Sequence, residues 1–227
     1  MKSILVTLAA AGLLMASPAN AAFIFDAEND SHVISMNGLV DREVVDGLRS
    51  TLTLTLYQVS GNDAYFRYLL ENTSGDEITA SEVGAFGFNS LPDFIGGQLL
   101  GGYFNNTGHG NVPGGLPDVA LCLTAGPNCR GAASRGIELG DSGSGEFRLT
   151  YGSAFTQVTL TDLFVRYQGI VGPGLRGESG VGIPDGGGLG TAVPEPSTWA
   201  FMILGFGGAG AMLRHRRQHL ALEKMAT

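Results

Sequence analysis

The chain has 227 residues, 44% hydrophobic and 15% charged, with 36 glycines and a formal net charge of −8. Between Ala22 and Val193 there are eight arginines and no lysine against eleven Asp and eight Glu, a net charge of −11. That balance argues against nucleic acid and anionic lipid as partners and excludes a lysine Schiff base or lysine nucleophile from the segment.

Lys2 supplies a positive n-region, Ile4 to Met15 an apolar h-region, and Ala19-Asn20-Ala21 a small-residue cleavage site. Residues 1–21 are therefore predicted to be a signal peptide, cut by signal peptidase with Ala19 and Ala21 as its guides. An uncleaved anchor helix fits less well, because the apolar run is short and Pro18 breaks it.

Next come Asp26, Glu28 and Asp30, spaced by two as at the start of an EF-hand loop. The glycine that such a loop needs is Ser31, and the twelfth position holds Asn37 instead of Glu. Strand signals then dominate residues 22–168. Thr51-Leu52-Thr53-Leu54-Thr55-Leu56-Tyr57 alternates Thr with Leu, the pattern of a half-buried strand. Ala64 to Leu70 follows across Ser60-Gly61-Asn62-Asp63 as the second arm of a hairpin. Further strands are predicted at 33–40, 82–88, 98–103, 119–123, 145–151 and 158–168. In the last of these, Leu163, Val165 and Tyr167 face one way, and Phe164 and Arg166 the other.

Short strands between Gly/Asn/Pro turns, with no helical period, predict an all-β domain over 22–168, a β-sandwich of jelly-roll type. The predicted core is Leu52, Leu54, Leu56, Phe66, Tyr68, Phe86, Phe88, Phe147, Leu149, Phe164 and Val165. It includes both faces of one strand, which a half-wet sheet cannot bury together.

Tyr103, Asn105, Asn106, His109 and Asn111 form an aromatic and amide-rich loop, a composition found in sugar sites and in ordinary long loops alike. Cys122 and Cys129 flank a Gly-Pro turn and read as a local disulfide of an exported chain, with no histidine beside them to complete a metal site. Gly140-Asp141-Ser142-Gly143 resembles the nucleophile loop of trypsin-like proteases. Neither His32 nor His109 has the surroundings of a triad base, and a plain turn before a strand explains the four residues. No catalytic residue and no metal ligand set is assigned, and the chain is expected not to be an enzyme. Ca²⁺ held by carboxylates of separate loops, such as Asp118 with Asp141, is an alternative to an absence of cofactors.

From 169 to 192 the chain is glycine-rich, with Val171-Gly172-Pro173-Gly174 and Asp185-Gly186-Gly187-Gly188, and is predicted to be a flexible spacer. Then comes Val193-Pro194-Glu195-Pro196-Ser197-Thr198-Trp199-Ala200. The prolines keep the motif extended. Residues 199–213 carry no charge and span about 22 Å as a helix, short of a ~30 Å hydrocarbon core, with Trp199 placed as an interfacial anchor. Arg214, Arg216 and Arg217 form a basic stop that stays cytoplasmic. On spacing alone an interfacial or buried helix remains open.

This order of motif, span and basic cluster over 193–217 resembles the PEP-CTERM sorting signal of Gram-negative bacteria, in its Pro-Glu-Pro-x-x-Trp-Ala version. The resemblance implies recognition by an exosortase, a membrane-embedded cysteine transpeptidase, with release or re-attachment at the cell surface or in exopolysaccharide. Residues 218–227 extend beyond the usual end of such signals as a cytoplasmic tail. Thr79 to Phe88, the Cys122/Cys129 loop and Leu163 to Gln168 together resemble the cistern family of PEP-CTERM proteins, which implies a surface role and supplies no site residues. Two functions are expected to compete: a structural component of the surface or matrix, or a carbohydrate-binding module using the Tyr103–Asn111 loop, with or without calcium.

Overall fold

The computed structural model describes residues 21–132 and 135–186. About two thirds of them lie in strands and none in a helix. The strands are β1 (Phe23–Phe25), β2 (Asp30–Val40), β3 (Glu43–Ser60), β4 (Asp63–Glu71), β5 (Ala80–Leu91), β6 (Phe94–Gly102), β7 (Asn106–Gly110), β8 (Val119–Thr124), β9 (Ile137–Glu138), β10 (Ser142–Tyr151), β11 (Val158–Gly172) and β12 (Leu175–Pro184).

Local sequence explains most of these. In β3 the leucines at 52, 54 and 56 are buried while Thr51, Thr53 and Thr55 are half-buried on the other face, as a period of two requires. Asp41 and Arg42 both have positive φ (51° and 71°) and join β2 to β3 in the mirror-image turn that suits hairpin twist. Gly61-Asn62 closes the β3–β4 hairpin. Pro173-Gly174 joins β11 to β12, with Gly174 at φ 76°, where a side chain would be strained.

The jelly-roll sandwich expected from the strand count is replaced by one antiparallel sheet in the order β6-β10-β4-β3-β2-β12-β11-β5-β8-β7, with β1 on β11 and β9 on β5. Three strands are long, at 18, 12 and 15 residues for β3, β5 and β11. Register shifts interrupt their pairings, and such bulges bend and twist a sheet. The sheet therefore curls on itself without a break in hydrogen bonding. Its two ends, β6 and β7, are linked by residues 103–105. A Cβ on Gly97 of β6 would lie 3.0 Å from the Leu121 methyls of β8, so the ends meet through side chains and the sheet is nearly a barrel.

Part of the predicted spacer belongs to this sheet. β11 runs on to Gly172, and β12 lies between β11 and β2; residues 187–192 fall outside the described residues. The glycines of β12 hid the strand because they serve packing. A Cβ on Gly182 would sit 2.4 Å from Val165 Cγ2 and 2.9 Å from the Tyr167 ring. Large β11 side chains fill the space that β12 side chains would otherwise take.

The interior is lined from every long strand, with Phe25, Leu54, Phe66, Phe86, Phe147, Val165 and Tyr167 among its members. All eleven predicted core residues are buried. Phe164 and Val165 are both buried because the sheet has a second, outer cluster: Phe164, Leu39, Val181, Val112, Val119, Cys122 and Cys129. Residues 111–118 cross the outside of the sheet to form it, passing so close to β12 that a Cβ on Gly114 would lie 3.1 Å from Val181.

Candidate functional site

The aromatic and amide-rich segment is partly strand. Asn106–Gly110 is β7, paired with β8 at the end of the sheet, so the predicted loop is an edge with short flanks. Tyr103 donates its hydroxyl hydrogen to Gly136 O at 2.6 Å, and its backbone N–H to Ser144 O. Burial, and then the nearby carboxylates of Glu82, Glu138 and Asp141, raise its pKa. Asn106 Nδ2 donates to Asn105 Oδ1 at 2.8 Å. Tyr103, Asn105, Asn106, His109 and Asn111 are all solvent-exposed.

The acidic triplet after Ala22 holds backbone. Asp30 Oδ2 accepts from Asp26 N and Ala27 N at 2.9 and 3.1 Å, and Glu28 Oε1 accepts from Val59 N at 2.8 Å. The first two bonds hold the Asp30 carboxyl below its usual range. Beside this turn lies an open cavity of about 300 Å³ whose lining includes Phe25, Glu28, Leu56, Phe155 and Gln157. Asp118 and Asp141 do not meet. Asp118 O accepts from Asn89 Nδ2, whereas Asp141 O accepts from Asn72 N and Asn72 Nδ2 donates to Ser81 O. Ser81 and Asn89 are eight residues apart on β5, roughly 25 Å at ~3.3 Å per residue. Among the described residues no group of three His, Cys, Asp or Glu is placed to hold a metal ion.

Ser142 opens β10 opposite Glu71 of β4. His32 is level with Leu54, Tyr68 and Gly145 across β3, β4 and β10, three strand spacings or roughly 14 Å from the Ser142 strand. Its Nε2 is 2.7 Å from Ile24 O and its ring packs edge-on against Phe25. The structure thus uses His32 as a packing residue. His109 is exposed on β7.

One polar constellation escaped the sequence reading. On the outer face of β3, β4 and β10, Tyr57 Oη and Arg67 Nε donate to Glu146 at 3.0 and 2.8 Å, and the Arg67 guanidinium lies 4.2 Å over the Tyr57 ring. The bond from Arg67, then that from Tyr57, hold the Glu146 carboxyl below its usual range. A bulge at Tyr57, between the pairs Leu56–Phe66 and Gln58–Tyr65, re-aims the ring. No spacing in the linear sequence predicts that bulge.

Cys122 and Cys129 are disulfide-bonded, with Cα atoms 5.6 Å apart. The bridge sits in the outer cluster under residues 111–118. Ala21 is the first described residue and β1 begins at Phe23. Ala19, Pro194, Glu195, Pro196, Trp199, Ala200, Arg214, Arg216 and Arg217 lie outside the described residues, as does the predicted span 199–213. Among the described residues no helix is long and apolar enough to cross a membrane.

Residues 192–217 match the family model of the PEP-CTERM protein-sorting motif. The chain carries a PEP-CTERM motif. The PEP-CTERM motif marks an exported protein that an exosortase processes, with a membrane-associated tail before processing. The match begins one residue before the segment predicted from its prolines, tryptophan and arginines, and ends at the same Arg217. Neither a curated protein nor a solved structure matches the chain.

Proposed function

We propose that this chain is a non-catalytic structural protein of the cell surface or extracellular matrix. In this reading signal peptidase cuts after Ala21, the folded β-domain is periplasmic while the 199–213 segment anchors it, and the exosortase then delivers it to the surface or to exopolysaccharide. The observation that carries the reading is the PEP-CTERM motif at 192–217 following an acidic all-β domain stabilised by a disulfide. A disulfide suits an oxidising compartment, and a high net charge keeps a surface module soluble and separate.

The test is the intact mass of the protein recovered from each fraction of the native host. A mass beginning at Ala22 and ending near Pro194-Glu195-Pro196, outside the inner membrane, is expected. A chain that keeps Trp199 to Thr227 and stays in the inner membrane would overturn the sorting route.

A second reading, glycan binding through Tyr103, Asn105, Asn106, His109 and Asn111, is favoured by the exposure of all five along one edge. Calcium would assist it if carboxylates near that edge gained a shared ion. A thermal shift with Ca²⁺ and with EDTA, alongside a glycan array, separates it from the structural reading: a shift or a bound glycan lost in Tyr103→Ala supports it.

A further inference from the structure

The open cavity of about 300 Å³ lies where the β1–β2 turn, β3 and the β10–β11 connection meet. Phe25 and Leu56, both buried, form its floor, and the half-buried Phe155 forms a wall. Asp26, Glu28 and Gln157 stand exposed on its rim. That rim is fixed to the sheet. Asp30 Oδ2 accepts from Asp26 N and Ala27 N, Asn29 N donates to Leu56 O at 2.6 Å, and Glu28 Oε1 accepts from Val59 N. The Phe155 ring in turn packs on Tyr151, with centroids 4.5 Å apart. A site held this way loses little further freedom when a ligand enters.

Charge decides what such a cavity admits. Among the described residues its lining carries two carboxylates and no arginine, lysine or histidine. A third carboxylate, Asp30, stands beside Asp26. Neither Asp26 nor Glu28 forms an ion pair among the described residues, and the second oxygen of Glu28 and the Gln157 amide make no hydrogen bond among them. In a segment of net charge −11, this rim repels anions and draws cations. The apolar floor and aromatic wall suit a ligand with a hydrocarbon face, and the free amide suits hydroxyl groups. A volume at the small end of ligand pockets leaves room for a single ring-sized unit.

We propose that this cavity binds an amino sugar, a hexose ring carrying a free, unacetylated amine. The ammonium donates to the Glu28 and Asp26 carboxylates in charge-assisted hydrogen bonds. The C–H face of the ring rests on Phe155, and ring hydroxyls meet the Gln157 amide. This site is separate from the Tyr103 edge. Phe155 packs on Tyr151, whereas Tyr103 N bonds to Ser144 O, seven residues or roughly 23 Å away along β10. The chemistry of the cavity is also independent of how the chain is sorted.

The test uses the full chain purified in neutral detergent, titrated calorimetrically at mildly acidic pH, where sugar amines are charged. The probes are chitosan tetramer, chitotetraose and cellotetraose, which share a backbone and carry an amine, an acetamide and a hydroxyl at C2. Spermine, a tetraamine without a sugar ring, is the control for charge alone. Chitosan tetramer is expected to bind, more weakly as salt rises, and at least about tenfold more tightly than the other three, the scale of one charge-assisted hydrogen bond. Glu28→Gln keeps an acceptor for Val59 N while removing the charge, so it should keep the melting temperature and weaken chitosan tetramer by about tenfold or more. Asp26→Asn should weaken it likewise and remains informative if Glu28→Gln unfolds. Glu43→Gln, exposed at the far end of β3, and Tyr103→Ala should leave binding unchanged. Absence of chitosan tetramer binding, equal binding of chitotetraose, cellotetraose or spermine, an unaffected folded Asp26→Asn, or an equal loss in Glu43→Gln or Tyr103→Ala would each overturn the proposal. None of these outcomes bears on the mass and fractionation test of sorting.

Discussion

Asn72 is buried, and its Nδ2 donates to Ser81 O, Ser81 Oγ and Ile137 O at 3.0 to 3.1 Å while Oδ1 accepts from Ser74 N at 3.3 Å. One side chain thereby ties the end of β4 to β5 and β9. Asn72→Ala would strand several buried partners at once, so it should cost about 3 kcal/mol in urea unfolding. Tyrosines set the alkaline limit. Burial pushes the Tyr151 phenol up to about 12 and the Tyr167 phenol higher still, each tempered by a bond to a serine, Ser90 and Ser50. Below the unfolded pKa of ~10 this contribution is fully present; above it the unfolded chain sheds protons that the native chain keeps. Stability should therefore fall from pH 10 upward, by about 2 kcal/mol at pH 12 from Tyr151 alone. A melting temperature that stays flat between pH 9 and 12 would contradict this.

Among the elements, β12 separates what the sequence displays from what it conceals. The eight strands expected from alternation are all present, because β3, β4 and β10 carry their own periodic apolar residues. β12 shows Val181 and Ile183 against glycines, and its inward volume belongs to Val165 and Tyr167 of another strand. Such a strand is visible only once its partner is known. The same holds for β7, whose Asn-Thr-Gly-His-Gly sequence is held by pairing with β8. Closure of the sheet was equally hidden, since it depends on which distant strands pair. As for sites, the Cys122–Cys129 bridge was legible from spacing, whereas the Tyr57–Arg67–Glu146 grouping needs three strands side by side in space. Gly182→Ala distinguishes strand from spacer: it should cost about 1–3 kcal/mol by overpacking against Val165, whereas a spacer glycine would tolerate it.

For the molecule as a whole, β12 is the piece that joins two halves. Without it the path divides into β6-β10-β4-β3-β2 and β11-β5-β8-β7. A chain ending at Gln168, the boundary expected from strand signals alone, should therefore lose cooperative unfolding, while one ending at Gly186 should retain it; circular dichroism during heating checks both. The strand that completes the sheet pairs residues 181–184 with residues 36–39, and pairings so distant in sequence form late. During vectorial export β12 is also among the last parts of the domain to emerge. Until then β2 and β11 present open edges, and the domain cannot close while its own final strand is in transit. The last strand of the sheet thus precedes the PEP-CTERM motif at 192–217 in the order of emergence, so that the domain has all of its own strands outside before its sorting motif follows.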